Sequence, residues 1–471
     1  MFLDRELELN HLEKSYASEK AELVVLYGRR RVGKTELLRA FCEDKPHIFF
    51  IATLSSDGEQ LQSFSEKVYA FNHSEVSPGF SYPTWEAAFR ALTDLPQEQR
   101  PVIVLDEFTY LISGNKALTS ILQKVWDERL KETKLMLILC GSYIGMMEQE
   151  VLSVHAPLYG RRTISLFLRP LELRTSCLFF PEYGPEDQFF TWAILGGMPY
   201  YLQIFKQTSH PDGGLFDQIK THLLDARTGI LYNEPRLLLM EELREPRNYF
   251  SILRAIAQGK TRLNQIWQSS GLTEVTAVNR YLDILQQLRL VTRKVPITEE
   301  RPEKSRKGIY QIDDHFLKFW FRYIHPYQSS LDLGLLDAVF ERHIKPDLIH
   351  FAATAFEEAA KDFVAMKARQ NELPFIPERI GSWWDQSSEI DVVALSLAEN
   401  AALIGECKWS VHPVGLNVLL DLKVKAQTFS KASLTQNLFY CLFSKSGFTP
   451  ELQEQASRDG IRLFSLADML S

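Results

Sequence analysis

Four residues near the start of the chain could bind phosphate. Gly28, Gly33, Lys34 and Thr35 stand in the spacing G-x-x-x-x-G-K-[ST] within LYGRRRVGKTELL. Glycines at those positions let the backbone curl so that its N–H groups and a helix N-terminus face phosphate oxygens. Lys34 then reaches the β- and γ-phosphates, and the Thr35 hydroxyl ligates Mg²⁺. Arg29, Arg30 and Arg31 fill the free positions, and most of them are expected to face solvent. Further on, the apolar run PVIVLDEF ends in Asp106 and Glu107. Phosphate chemistry uses such a pair, with Asp106 holding Mg²⁺ through its waters and Glu107 polarising the attacking water. Ser142, closing the run LMLILCGS, suits a contact to the γ-phosphate or to that water. ATP and Mg²⁺ are the expected ligands.

A second constellation lies in the last third. SSEIDVVALSLAENAALIGECKWS reads as two apolar strands joined by a turn at 398–400. In an antiparallel hairpin centred there, Asp391 lies opposite the stretch from Glu406 to Lys408. The strand period of two puts Glu406 and Lys408 on one face and Cys407 on the other. Charges among apolar neighbours are costly unless paired or metal-bound. The set suits Mg²⁺-assisted phosphodiester hydrolysis, with Asp391 and Glu406 on the metal and Lys408 orienting water or steadying charge. Glu357, on the helical stretch HFAATAFEEAAKDFVA, offers a further carboxylate. The plainer alternative is a strand-end salt bridge between Lys408 and Asp391.

Positioning the first set requires strands that alternate with helices. ELVVLY reads as a buried strand, KTELLRAF as a helix start, and the runs ending at Asp106 and Ser142 as further strands. That alternation gives an α/β fold with a parallel sheet whose ligand sits at the strands' carboxyl ends. From Asn248 the pattern becomes three short helices, with Val278, Leu282, Leu285 and Leu288 on one face of the third. A β-ribbon wing is expected to follow, with Arg293, Lys294, Arg301, Lys304, Arg306 and Lys307 on or near it. This is a winged-helix pattern, for which DNA is a common partner. The wing mixes Glu299, Glu300 and Glu303 with its cations, so docking on the ATPase part is an equal expectation. The aromatic stretch DHFLKFWFRYIHPY is expected to pack between domains.

Taken together, FLDRELELNHLEKSY, GRRRVGKTELL, LDEFTYL, LILCGS, PLYGRRT and GGMPYYL resemble the archaeal-type ATPase family of the STAND and AAA+ NTPases, over the first half of the chain. The resemblance implies that the opening D-R-E element, which contains Arg5, and the GxP motif, here Gly197 and Pro199, flank an adenine. It also implies that Arg161 and Arg162 fall where the family carries basic residues near the γ-phosphate; a solvated basic pair is the alternative. GSWWDQSSEIDVVAL and GECKW resemble the PD-(D/E)xK nuclease superfamily and, more narrowly, the C-terminal domain that commonly follows this type of ATPase. By that match Glu357, Asp391, Glu406 and Lys408 form the active-site set. Glu358 is an alternative for the helix position, although Phe356-Glu357 fits the pattern better.

The expected organisation is a nucleotide-binding domain with a helical lid over 1–235 and a winged helix over 236–312. An aromatic helical linker over 313–344 and a restriction-endonuclease-like α/β domain over 345–471 complete it. Five scattered cysteines frame neither a zinc site nor a disulfide ladder, which points to a reducing cytoplasm. The acidic start lacks a signal-peptide order, and no apolar run is long enough to span a bilayer. A net charge of −7 argues against a large nucleic-acid-coating surface but leaves room for a basic groove. The last domain, with 12 Lys and Arg against 16 Asp and Glu, is itself acidic, which weighs against its gripping a duplex unaided. The expected function is an ATP-hydrolysing switch coupled to DNA and to metal-dependent cleavage. The alternative is a nucleotide-gated regulator whose last domain only binds. Self-association stays open.

Overall fold

The structure is a computed structural model and describes residues 3–73, 79–96, 98–207, 214–243 and 245–471. Contacts divide it into two units, Met1–Pro170 with Met198–Tyr200, and Leu171–Gly197 with Tyr201–Ser471. The helical segments of 171–235, expected with the nucleotide-binding sheet, therefore group almost wholly with the second unit.

The first unit is built on five strands: β1 (Glu22–Tyr27), β2 (His47–Ile51), β3 (Val102–Asp106), β4 (Met136–Gly141) and β5 (Ile164–Phe167). They run parallel in the order β2-β3-β4-β1-β5. The central strands are continuous apolar runs because helices cover both faces of a parallel sheet. All five residues of β3 and all six of β4 are buried. Phe50, Phe64, Trp85 and Phe89 fill one side of the core with edge-to-face and tilted ring contacts. This order sets β1 beside β4, with β3 one strand further, so the loop after β1 and the polar ends of β3 and β4 share one edge of the sheet.

The second unit contains three helices, Arg247–Ala257, Leu263–Ser270 and Val275–Gln287, followed by an antiparallel ribbon of β6 (Val291–Lys294) and β7 (Ile309–Ile312). Val278, Leu282, Leu285 and Leu288 are buried, as their spacing requires. The aromatic stretch is also core: Phe316, Phe319, Trp320, Phe321 and Tyr323 are no more than 2% exposed. After it come the helix Leu348–Arg369, strands β8 (Arg379–Trp384), β9 (Glu389–Ser396) and β10 (Ala401–Lys408), the helix Leu416–Ser433, and β11 (Asn437–Ser444) and β12 (Arg462–Ser465). The order is β12-β11-β10-β9-β8. A four-residue turn joins β9 antiparallel to β10, whereas β11 lies parallel to β10 and needs the helical crossover. Among the described residues, no helix is long and apolar enough to cross a membrane.

Candidate functional sites

The loop after β1 owes its path to two glycines. A Cβ on Gly28 would fall 2.5 Å from the Leu168 carbonyl oxygen, and Gly33 holds φ +93 where side chains are strained. Gly33 is the N-cap of the helix Lys34–Cys42, and no side chain caps that helix. Its first N–H groups therefore face the loop's concave side, the arrangement that binds phosphate. The Lys34 ammonium, 6% exposed, donates to the carbonyls of Gly28 and Arg29 at 2.9 Å each. Burial lowers its pKa, and the nearby Glu107 and Asp106 partly oppose that.

Across the sheet edge, the Thr35 hydroxyl donates to Asp106 Oδ2 at 2.7 Å, and the Ser142 hydroxyl donates to Glu107 Oε2 at 2.6 Å. Asp106 is 1% exposed, and its other oxygen accepts the Glu107 N–H at 2.9 Å. Glu107 sits at φ 52 and Arg31 at φ 69, left-handed values that cost each residue about 1 kcal/mol or more. Backbone strain of this kind persists only where the surrounding structure holds it in place. The sequence thus places Gly28, Gly33, Lys34, Thr35, Asp106, Glu107 and Ser142 together. A hydroxyl and a carboxylate at hydrogen-bond distance are hard oxygen donors of the kind Mg²⁺ takes.

The flanking residues differ more from expectation. Arg29 is only 7% exposed, Arg30 donates to the Tyr110 hydroxyl at 2.7 Å, and Arg31 lies over the Tyr200 ring at 4.1 Å. Arg29 is therefore buried and Arg30 and Arg31 are half-buried against Tyr110 and Tyr200, so the three are less exposed than expected. Arg5, 8% exposed, donates to the carbonyls of Val32 and Arg169 and so braces the loop from behind. Pro199 lies beside Gly33, its Cγ 3.8 Å from where a Cβ would be. Arg161 is engaged elsewhere, with Nε and Nη2 on the Asp127 carboxylate at 2.9–3.2 Å and Nη1 on two loop carbonyls. Arg162 donates to the Leu152 carbonyl at 2.8 Å.

In the second unit the β9–β10 register runs from Ser396–Ala401 to Val392–Gly405, so the next step brings Asp391 to Glu406. Asp391 Oδ2 accepts the Cys407 N–H at 2.9 Å. Burial and the charge of Glu406 push the Asp391 carboxyl up to about 6. Burial and the charge of Asp391 push Glu357, on the helix Leu348–Arg369, up to about 8. Asp391 thus lies within electrostatic reach of both Glu406 and Glu357.

Lys408 pairs not with Asp391 but with Glu406, at 2.7 Å, because the two alternate positions share a face. A lysine outside the sequence motif joins it: Lys425 reaches both Glu406 oxygens at 2.9 Å from the helix Leu416–Ser433. Among the described residues, no three His, Cys, Asp or Glu side chains are gathered closely enough to hold a metal ion, since Glu406 is turned to its lysines. Glu358 lies apart from this set, bound to His315 Nε2 at 3.1 Å and Lys294 at 3.5 Å. Burial opposes its charge, but Lys294, the His315 hydrogen bond and Lys318 outweigh that and hold it well below the usual carboxylate range. Glu358 is therefore a structural anchor, and Glu357 is the helix residue that faces Asp391.

The ribbon docks on this same sheet. Ile297, 8% exposed, belongs to its core with Trp383 and Ile390, and its N–H donates to the Ser382 carbonyl on the edge strand β8 at 3.0 Å. Arg379 returns hydrogen bonds to the carbonyls of Ile297 and Glu299. Of the ribbon's cations, Arg301, Lys304, Arg306 and Lys307 remain exposed.

Comparison with known proteins agrees with a nucleotide-binding class. Residues 2–205 match a family described as an ATPase domain predominantly from Archaea, and residues 320–418 match one described as archaeal and bacterial proteins of unknown function. The chain belongs to the family of the uncharacterized protein MJECL04 of Methanocaldococcus jannaschii, with 37% identity over 411 residues, 87% of this chain and 88% of that protein. It is also similar to an uncharacterized ATP-binding protein of Pyrococcus abyssi, PYRAB12000, with 26% identity over 44% of this chain and 71% of that protein. Among solved structures it shares the fold of the Walker-type ATPase paby2304 of Pyrococcus abyssi, at TM-score 0.51 and 24% identity, over 68% of this chain and 96% of that one.

Proposed function

We propose that the protein is an ATP-binding and ATP-hydrolysing switch whose C-terminal sheet cleaves a nucleic-acid backbone. The observation that carries the first half is the Lys34 loop with Thr35–Asp106 and Glu107–Ser142 hydrogen-bonded across one sheet edge. Lys34 exchanges the loop carbonyls for β- and γ-phosphate oxygens, which are stronger partners for a desolvated ammonium. Mg²⁺, held by Thr35 and Asp106, would neutralise phosphate charge. Glu107, oriented by Ser142, takes up the proton of the attacking water. Arg5 and Pro199 shape the adenine side, and the relative described as ATP-binding supports the same ligand.

Asp391, Glu406 and Lys408, with Glu357 close to Asp391, support the second half by residue type and register: they are the residues that would hold Mg²⁺ and polarise a water, although Glu406 here is engaged by two lysines. The three helices and ribbon stand in winged-helix order, with an exposed cationic loop available to a nucleic-acid phosphate. Helix Pro185–Leu195, separated from Pro199 by three residues of chain, packs Phe189 on Trp409 at 4.4 Å, next to Lys408. That gives nucleotide state a covalent route toward the cleaving site. The competing reading, a regulator whose last sheet only binds, rests on the lysine-paired state of Glu406.

Lys34→Ala should remove nucleotide binding, whereas Glu107→Gln should keep ATP and slow its hydrolysis by about 10²-fold or more. Nucleotide affinity and turnover measure this; equal turnover in wild type and Glu107→Gln removes Glu107 from its role.

A further inference from the structure

Two tryptophans stand side by side on β8 and are used differently. Trp383, 3% exposed, packs edge-on against Phe429 in the core of the C-terminal sheet. The strand period of two turns Trp384 to the other face, where it is half-buried. Among the described residues no other ring or cation stacks on it, and its indole N–H donates to no protein group. An indole with an apolar face and an unused donor suits a ligand. Trp384 lines an open cleft of about 380 Å³ with Thr261, Arg262, Ile309 and the β8–β9 turn from Asp385 to Glu389. That size falls in the range of small-ligand sites, roughly 300–1,000 Å³. The turn is held in shape by Asp385, whose Oδ1 accepts the Ser387 and Ser388 N–H groups at 2.7 Å each. Those bonds keep its carboxyl below the usual range. Arg262 and Gln386, both exposed, are left to meet the polar edge of a flat ring.

The surroundings narrow the ligand further. Lys307, two residues before Ile309, lies near enough to Asp385 to act on its charge, so the exposed cations of the ribbon loop border the cleft. Inside it, Asp385 and Glu389 repel a phosphate. Glu389 stands across from Trp384 in the β8–β9 ladder. It precedes Asp391 by two residues on the same strand face, a rise of about 7 Å. A ligand with a flat polar head and phosphates on its flanks fits this division of charge.

We propose that the cleft takes one unpaired base of a single-stranded nucleic acid, stacked on Trp384, with the adjoining phosphates on the cations of the ribbon loop. The proposal rests on the nucleic-acid reading above and names its substrate class, a strand whose bases are free to leave the stack. Stacking on an aromatic ring tolerates any base, so the cleft selects single strands over duplex rather than one sequence over another.

The test is fluorescence anisotropy with the full-length protein in EDTA, so that no divalent ion takes part. The probes are a short labelled single-stranded DNA, its RNA equivalent and the matching DNA duplex, against wild type, Trp384→Ala and Trp384→Phe. Trp384→Ala should weaken single-strand binding by about tenfold and leave duplex binding unchanged, whereas Trp384→Phe, which keeps a ring, should retain most of it. The difference in tryptophan emission between wild type and Trp384→Phe isolates Trp384, and the single strand should quench it. That second measurement decides the matter even where Trp384→Ala does not fold. Single-strand affinity of Trp384→Ala equal to wild type, or an unquenched Trp384, overturns the proposal and leaves the nucleic-acid reading intact. Equal losses on single strand and duplex overturn it too, because paired bases cannot enter the cleft, and so does binding of duplex alone. Binding of none of the three probes by wild type overturns both the proposal and the nucleic-acid reading.

Discussion

A glutamate placed among other acids pays for its position in pH dependence, and Glu357 is the case in point. Its carboxyl is raised from 4.5 to about 8 by burial and by Asp391. A group whose folded value lies above its unfolded value keeps a proton in the folded state that the unfolded state has lost. Its contribution to stability therefore falls as pH rises through that window. Glu357→Gln, which cannot ionise, should leave Tm unchanged near about pH 4 and raise it by a few degrees near about pH 9, where wild type must bear the charge. Thermal unfolding across pH in the absence of divalent ions measures this; a shift of equal size at both ends contradicts the assignment. The site residues themselves were readable because each is tied to a motif with fixed spacing: Gly28 to Thr35 on one turn, Asp106–Glu107 and Ser142 on strand ends. Lys425 was not, because its meaning depends on a helix packing across a strand that ends 17 residues earlier; two lysines, Lys423 and Lys425, lie between the buried Leu422 and Ala426, and only the fold shows which of them reaches Glu406. Asp127, the partner of Arg161, escaped for the same reason, lying on the helix Leu118–Glu128, 34 residues away from the turn that holds Arg161.

At the scale of elements, apolar runs gave β1, β3 and β4 to within a residue, since buried parallel strands read as continuous hydrophobic stretches. β5 was harder: at four residues, with no buried position, it is too short for its apolar residues to stand out as a strand. The β9–β10 turn was readable from polar residues between two hydrophobic runs, and Asn400 adopts the left-handed φ 50 that the turn needs. What pattern alone could not supply is the ribbon's docking partner, because Ile297 in a polar loop gives no hint that it enters the core of a sheet whose edge strand begins 82 residues later. Ile297→Asp should therefore destabilise the second unit by about 2–4 kcal/mol, since it buries a charge against Trp383. A thermal scan that shows no change would mean that the loop is not docked. The ribbon's exposed side makes a separate prediction: reversing Arg306 and Lys307 should weaken DNA binding and flatten the slope of log affinity against log salt by roughly one to two units, as fewer counterions are released. Unchanged DNA affinity leaves the ribbon as a docking element alone.

Over the whole molecule, the account joins a nucleotide loop to a carboxylate–lysine sheet in one chain, and the two chemistries can be separated by mutation because they lie in different units. The net charge of −7 makes general adhesion to nucleic acid unfavourable, so the proposed contact must use local cations and is expected to be sensitive to salt. Cleavage is accordingly expected to need the folded second unit together with its ribbon, and to vary with nucleotide state. The most direct measurement is Mg²⁺- and Mn²⁺-dependent cleavage of plasmid, single-stranded and branched DNA and of RNA, with and without ATP, by wild type, Asp391→Ala and Lys34→Ala. The account predicts strand cleavage by wild type that changes with ATP, none by Asp391→Ala despite intact ATP binding, and cleavage indifferent to ATP in Lys34→Ala. Absence of cleavage in every nucleotide state, or equal cleavage by Asp391→Ala, would contradict it.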